Sequence, residues 1–495
     1  MTAFDVVLVL LAVCLPLLYP AMAVAAGYEK AMRYALPLLP LPALMLALGT
    51  APGWQLELPW LLNGGLWGMD ELRRLFLLLT AILWTLAGVF AVGYLKAHHL
   101  QRFCVFWGLT LAGNLGLTVA VDIASFYSFF ALMTFAGYGL VVHEGTAEAN
   151  RAGRVYLAMA VVGEMAILAG LLLASAAADS QMLPDLPAAI AEAPQRDLMI
   201  GLLIAGFGVK AGLPLLHFWL PLAHPVAPTP ASAVLSGAMI KAGLLGWLVT
   251  LPFGETSLPM WGALMVVAGA VASLGAAALG VCQQRPKTVL AYSSISQMGL
   301  MVLMMGAALA NSDVAQPLIA GMALFALHHG LAKGSLFLST AVAIPLAPGG
   351  RWLMWVLIAL PGLSLAGLPF TSGAASKLVM KELLEPDNLE FAMAAYLPML
   401  ISAGGIATML LVWRFLWVQR ANASYGGNSA MIWLGWGMAT VSSLGVFWLL
   451  PQPGGLPPTP GLDAMVNQSW GLLWPALAAT LLASVVLAAR SIKQR

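Results

Sequence analysis

Apolar stretches of about 20 residues recur along the whole chain, separated by short polar or Pro/Gly-rich breaks. Each is long enough to cross a hydrocarbon core of about 30 Å as a helix. The pattern predicts about 14–15 membrane spans, placed at 4–26, 31–49, 71–95, 103–121, 123–142, 153–178, 197–220, 230–251, 259–282, 288–310, 316–345, 352–385, 391–418, 430–450 and 469–489. The stretch 50–70, with Pro52, Gly53, Pro59, Gly64 and Gly65, is too interrupted to span and reads as an external loop, as does the Pro/Gly-rich 451–461. The first apolar run has no basic start and no small-residue cleavage site, and it holds Asp5, Pro16 and Pro20, so it reads as a retained helix and not a signal peptide.

Composition narrows the class. A chain that is 61% hydrophobic and 8% charged, with mean hydropathy +0.91, lies outside the range of soluble domains, which leaves an all-α polytopic membrane protein in a lipid bilayer. Cys14, Cys104 and Cys282 stand alone without CxxC or Cys/His spacing, so the sequence supports no disulfide, cluster, metal site or other cofactor. The net charge of +2 points to no nucleic acid.

The placement of that charge is more telling. Lys30, Arg33, Lys96, Arg102, Arg151, Arg154, Arg285, Lys287, Arg351, Arg414, Arg420, Arg490, Lys493 and Arg495 fall on alternate loops, and the opposite loops carry Asp179, Asp185, Glu192, Asp197, Glu255, Asp313, Asp387 and Glu390. Because basic residues near helix ends stay inside, the basic loops and the C-terminus are expected in the cytoplasm of a bacterial inner membrane, with the N-terminus outside.

Four lysines break the apolar pattern: Lys210, Lys241, Lys333 and Lys377 each lie deep inside a predicted span. An ionisable group at mid-membrane costs several kcal/mol and marks function by default. One such lysine would be explained by snorkelling from a helix end; four together point to a proton or cation pathway. Burial disfavours the charged form of a lysine, so such a group can both accept and release a proton. His328 and His329 lie one turn from Lys333 and suit a relay, although a histidine in such a helix is also a common packing residue. Tyr292, Ser293, Ser294 and Ser296 offer hydroxyls to a wetted path or to their own backbone.

Two spans are interrupted. The first carries Lys210-Ala211-Gly212-Leu213-Pro214, followed by His217 and Pro221; the second has Pro361, Gly362, Gly367 and Pro369 ahead of Lys377. Freed carbonyls at membrane depth need a protein-buried or water-lined site, and a pair of such helices five spans apart marks an internally repeated transporter unless both are ordinary proline kinks. Gly206, Gly208 and Gly212 imitate a dinucleotide fingerprint but follow no strand, so they read as small residues for close helix packing.

GFGVKAGLPLLHFWLPLAHPVAPTPASAVLSGAMIKAG from Gly206 closely resembles the signature of the antiporter-like membrane subunits shared by respiratory complex I, Mrp-type Na+/H+ antiporters and membrane-bound hydrogenases. KTVLAYSSISQMG from Lys287, HHGLAKGSLFL from His328 and GLPFTSGAASK from Gly367 follow in the family order. The wording is closest to hydrogenase-type and Mrp D subunits. The resemblance implies two inverted five-helix repeats, each with a broken helix, at 101–252 and 253–420, preceded by helices 1–3 in 1–100 and followed by C-terminal helices in 421–495. It further implies Lys210 as the pumping lysine, Lys241 as a bridge, Lys333 with His329 as the central relay and Lys377 as the exit-side group.

The chain departs from the family at two points. Ala131 stands where the family has a glutamate that pairs with the broken-helix lysine, and Arg285 stands where it has an acid. Glu164, the one carboxylate placed near mid-membrane, is expected to take over as partner of Lys210.

The leading reading is therefore an ion-translocating subunit for H+, or for Na+/H+ exchange, within a redox-driven or antiporter complex. Other membrane subunits would be its partners, and any redox chemistry would belong to soluble partner subunits. The alternatives are a subunit of an inorganic-carbon uptake complex with a zinc-containing soluble partner, and a degenerate scaffold.

Overall fold

The computed structural model describes residues 2–24, 29–61, 64–96, 99–449 and isolated positions between 456 and 481. Three helices open the chain: α1 (Ala3–Val24), α2 (Glu29–Ala35) and α3 (Leu41–Gly49). A two-stranded antiparallel hairpin, β1 (Trp54–Leu58) and β2 (Gly65–Met69), follows, with Trp54 opposite Met69. The stretch expected as an irregular loop is thus ordered. Its hairpin is pinned to the turn before α6 (Ile123–Val141), where the Asp122 carboxylate accepts from Leu66 N at 2.8 Å and also caps α6 by accepting from Ser125 N at 2.7 Å. Asp70 caps α4 (Glu71–Tyr94) in the same way, accepting from Arg73 N at 2.7 Å. α5 (Leu100–Val119) lies between α4 and α6.

The next helices are α7 (Ala147–Ala178), α8 (Leu186–Glu192), α9 (Arg196–Ala211), α10 (Trp219–Val226), α11 (Thr229–Val234) and α12 (Ile240–Thr250); a π turn, Leu235–Met239, joins the last two. α13 (Pro259–Ala270) and α14 (Ala276–Gly280), α15 (Pro286–Ala310), α16 (Ala315–Ser339), α17 (Pro348–Ala366), α18 (Ser372–Leu383), α19 (Leu397–Ala421) and α20 (Ala430–Leu449) complete the bundle. Among the described residues, twelve helical segments are long and apolar enough to cross a membrane. The expected spans 31–49 and 197–220 are each split into shorter helices, and 469–489 lies almost wholly outside the described residues. The described chain is a polytopic all-α membrane protein whose β structure is confined to the hairpin and a few isolated bridges.

Both broken helices stop on the same five-residue pattern, Ala211-Gly212-Leu213-Pro214-Leu215 and Ala366-Gly367-Leu368-Pro369-Phe370. Gly212 (φ +82°) and Gly367 (φ +107°) are left-handed caps. Leu213 N reaches back to Gly208 O at 2.9 Å and Leu368 N to Leu363 O at 2.9 Å, so each helix ends in a Schellman turn. Three residues beyond each glycine a large side chain, Leu215 (φ +66°) or Phe370 (φ +61°), is also left-handed, which redirects the chain into α10 or, after the Thr371 cap, into α18. Pro361 and Gly362 do not break the second helix: α17 runs through both and stops only at Gly367.

Close packing of small residues sets the helix spacing. A side chain on Gly206 would meet Gly163 O at 2.9 Å, and one on Gly163 would meet Gly206 O at 3.2 Å. Backbone-to-backbone approach of α7 and α9 at this point is available only to glycine.

Candidate functional site

Lys210 is the penultimate residue of α9, where the carbonyl end of the helix favours a cation. Its side chain is buried, and Nζ donates to Tyr156 Oη at 3.3 Å; that hydroxyl in turn donates to Thr134 O at 2.7 Å. Three rings surround the ammonium, with centroids at 5.3 Å (Tyr156), 5.6 Å (Trp219) and 5.9 Å (Phe130), within range for cation–π attraction. Trp219 is held by its indole N–H, which donates to Val209 O at 2.7 Å and so ties α10 to the end of α9. The glycine contact between α7 and α9 brings Glu164, next to Gly163, into the same cavity, which Phe130, Thr134, Tyr156, Glu164, Lys210 and Trp219 help to line.

Glu164 is 4% exposed and makes no direct ion pair with Lys210. Neither carboxylate oxygen has a direct hydrogen bond among the described residues. The cavity that both side chains help to line is about 10 Å³, the space of roughly one water. Ala131 does not line this cavity; on α6 it is Phe130 and Thr134 that face it.

The other expected residues gather around the start of α12 and the middle of α16. The π turn frees Ser236 O, which accepts from Lys241 Nζ at 2.8 Å. Lys333 Nζ donates to Leu290 O at 3.2 Å, and Lys241 and Lys333 are electrostatic neighbours. His329, fully buried with both ring nitrogens unbonded among the described residues, lies in the field of Lys241, Lys333, His328 and Lys377. Mutual approach of Gly237 and Gly330, on each of which an added side chain would collide with the other's carbonyl, draws the π turn onto α16 beside His329.

His328 points the other way, its Nδ1 within 3.1 Å of Ser443 O on α20. Lys377, on α18, is 4% exposed with no hydrogen bond to Nζ among the described residues, and its charge bears on His328 and His329. Ser294 bonds both its own Leu290 O at 2.9 Å and Ser236 Oγ at 2.7 Å, so this hydroxyl serves the backbone and reaches across to the π turn.

His217 is not brought to the cluster. It is half-buried in the break itself, with Nδ1 3.3 Å from Leu213 O and the ring against Phe218. Sequence reasoning overlooked His224, 0% exposed on α10, stacked on Phe337 at 4.6 Å and lying in the field of Lys241, Lys287 and Lys333. It also overlooked the aromatic cage. The signal for His224 was its position one helical stretch beyond the break, inside the quoted motif; the cage had none, since its rings come from three separate helices.

Two half-helices ending in matching breaks, with buried cationic side chains beside each, define a polytopic membrane protein built around two broken helices. The chain belongs to the NADH:quinone oxidoreductase/Mrp antiporter transmembrane family, whose profile matches residues 120–410. It is 26% identical over 372 residues to hydrogenase-4 component B of Escherichia coli, covering 70% of this chain and 55% of that protein. To Na(+)/H(+) antiporter subunit A1 of Staphylococcus haemolyticus it is 30% identical over 336 residues, covering 62% of this chain and 41% of that one. The fold matches a chain of the Mrp complex from Dietzia sp. with TM-score 0.82 at 20% identity, over 97% of this chain and 56% of the other. This chain thus spans about half the length of these relatives.

Proposed function

We propose that this subunit moves protons across a bacterial inner membrane through a buried chain formed by Lys210, Lys241, Lys333 and Lys377, with His329 and His328 between the last two. Glu164 serves as the displaced acidic partner of Lys210. The observation that carries this reading is the shared cavity of Lys210 and Glu164, with room for about one water. In it a protonated lysine is favoured by three ring faces and by a carboxylate that lines the same cavity, and a neutral Glu164 would remove part of that support. Protonation at Lys210 then disfavours charge on the next lysines, so displacement of its partner would send a proton along the chain.

The basic loops and the C-terminus face the cytoplasm. Residues 101–252 and 253–420 act as inverted repeats between an N-terminal unit, 1–100, and C-terminal helices, 421–495; the matching breaks at Gly212 and Gly367 support that division. The subunit works within a larger complex beside other membrane subunits, in keeping with the complexes named for its relatives. Co-purification decides the driving force. Nickel or cluster subunits mean redox coupling, small Mrp-like subunits mean antiport, and a zinc-containing soluble partner means inorganic-carbon uptake.

The test is Lys210→Ala in the assembled complex. Ion movement is expected to vanish while assembly persists; wild-type flux in membrane-inserted mutant protein would favour the scaffold reading. Labelling of a cysteine placed after Arg490 by an impermeant reagent outside intact cells would refute the topology.

A further inference from the structure

At the ends of α4, α6 and α10 lies a second cavity, of about 370 Å³, lined by Tyr94, Leu95, Lys96, His143, Glu144 and Pro228. That volume holds on the order of ten waters. It opens among the basic loops and shares no lining residue with the Lys210 cavity.

Its inner wall leads to the centre of the protein. Next to Pro228, Ala227 O accepts from Lys287 Nζ at 2.7 Å. The Lys287 charge is felt by Glu144 on the cavity side and by His224 on the inner side. One turn further along α15, Leu290 O accepts from Lys333, and His224 lies in the field of Lys333 and Lys241. Both ring nitrogens of His224 are buried without a hydrogen bond among the described residues. Ionisable groups within one another's field therefore extend from this cavity to the central lysines, and neither helix break is among them.

A second contact holds the track in register. Arg285, two residues before Lys287, makes an ion pair with Glu148, four residues after Glu144, through both guanidinium nitrogens. The start of α15 is thereby tied to the start of α7, on the side of the molecule where Glu144 and Lys287 influence each other electrostatically.

We propose that the cavity beneath Pro228 is the cytoplasmic mouth of the proton pathway, and that Glu144 and Lys287 carry protons between its water and His224. Each transfer is a simple proton exchange. A hydronium in the cavity gives its proton to the Glu144 carboxylate, Glu144 gives it to the neutral amine of Lys287, and the Lys287 ammonium gives it to the unprotonated ring nitrogen of His224. Arg285 is a positioning residue. The mouth rests on the proposed proton pathway and its topology, and supplies their entrance.

The experiment uses the full complex in inside-out membrane vesicles and follows dissipation of an imposed pH gradient. The exposed Cys282 is first replaced (Cys282→Ser), and Glu144→Cys is then introduced. Glu144 is itself exposed, so folding should be unaffected, and complex yield checks this. Expected are a several-fold loss of flux in Glu144→Cys, a fall to background when a bulky impermeant thiol reagent is attached, and near-parental flux in Glu144→Asp. Full labelling at position 144 with flux equal to the Cys282→Ser parent overturns the mouth. Lys210→Ala run in parallel separates the two ideas: if it abolishes flux while the labelled protein keeps it, only the mouth fails, whereas parental flux in Lys210→Ala means the pathway itself fails. Labelling solely from the opposite membrane face overturns the mouth together with the topology.

Discussion

The break after α9 and the break after α17 share one backbone design and differ in everything attached to it. Each has a left-handed glycine, a Schellman turn and a left-handed bulky residue three positions on. Yet Lys210 lies two residues before its glycine, at the carbonyl end of the first half-helix, whereas Lys377 lies ten residues after Gly367, inside the second half-helix. Lys210 has a hydroxyl, three ring faces and a carboxylate across a small cavity. Among the described residues Lys377 has no hydrogen bond, ion pair or ring over its ammonium, and His328 and His329 are its ionisable neighbours. The comparison teaches that the break supplies only a bend and free backbone groups. The surroundings of each lysine are set by the side chains packed against it, which differ between the two breaks.

The contrast is broken outright by removing either lysine. Lys210→Ala and Lys377→Ala should each reduce ion flux to background with normal assembly, measured in vesicles containing the whole complex; survival of flux in one alone would mean that only the other break is functional. Glu164→Ala should come next, with loss of most of the flux. Returning the acid to α6 in the double variant Ala131→Glu with Glu164→Ala should recover part of it. No recovery would mean that position 131, which does not line the cavity, cannot reach Lys210.

A gentler test addresses the cage. Trp219→Leu should weaken the hold on protonated Lys210 by about 1–2 kcal/mol and shift flux several-fold, visible as a change in rate without loss of protein. An unchanged rate would assign Trp219 to packing alone. The shared backbone design predicts a matched pair: Gly212→Ala and Gly367→Ala each place a methyl on a left-handed residue, at a cost of about 1–2 kcal/mol, and their effects on thermal unfolding should add because the two glycines share no neighbouring side chain. The smallest effect is expected of Arg285→Ala, within about 1 kcal/mol of stability, because the pair with Glu148 is more than half exposed.

Much of this was legible from residue order because it is local. Hydrophobic runs dictate spans, Pro and Gly dictate interruptions, and a lysine within a span announces itself by its cost; the four lysines, the two broken helices and the resemblance of the 206–243 stretch to a known family all follow from neighbours in sequence. The hairpin at Trp54–Met69 was missed because its ordering comes from Asp122, far along the chain. Pro361 misled because a helix packed in a bundle can tolerate a proline until a glycine offers a left-handed exit.

The sequence by itself determined that this is a many-spanned membrane protein with costly cations at depth and two weak points in its helices. Only the tertiary structure decided what those cations face. Gly163 and Gly206 bring two backbones together and so bring Glu164 to the cavity of Lys210; Tyr156, Trp219 and Phe130 converge from three helices; and Lys287 reaches Ala227 O beside an outer cavity. Those are contacts between residues remote in the chain, fixed by which helix faces interlock, and the spacing of residue types along one helix carries no record of which ring, carboxylate or water-sized gap the neighbouring helix will present.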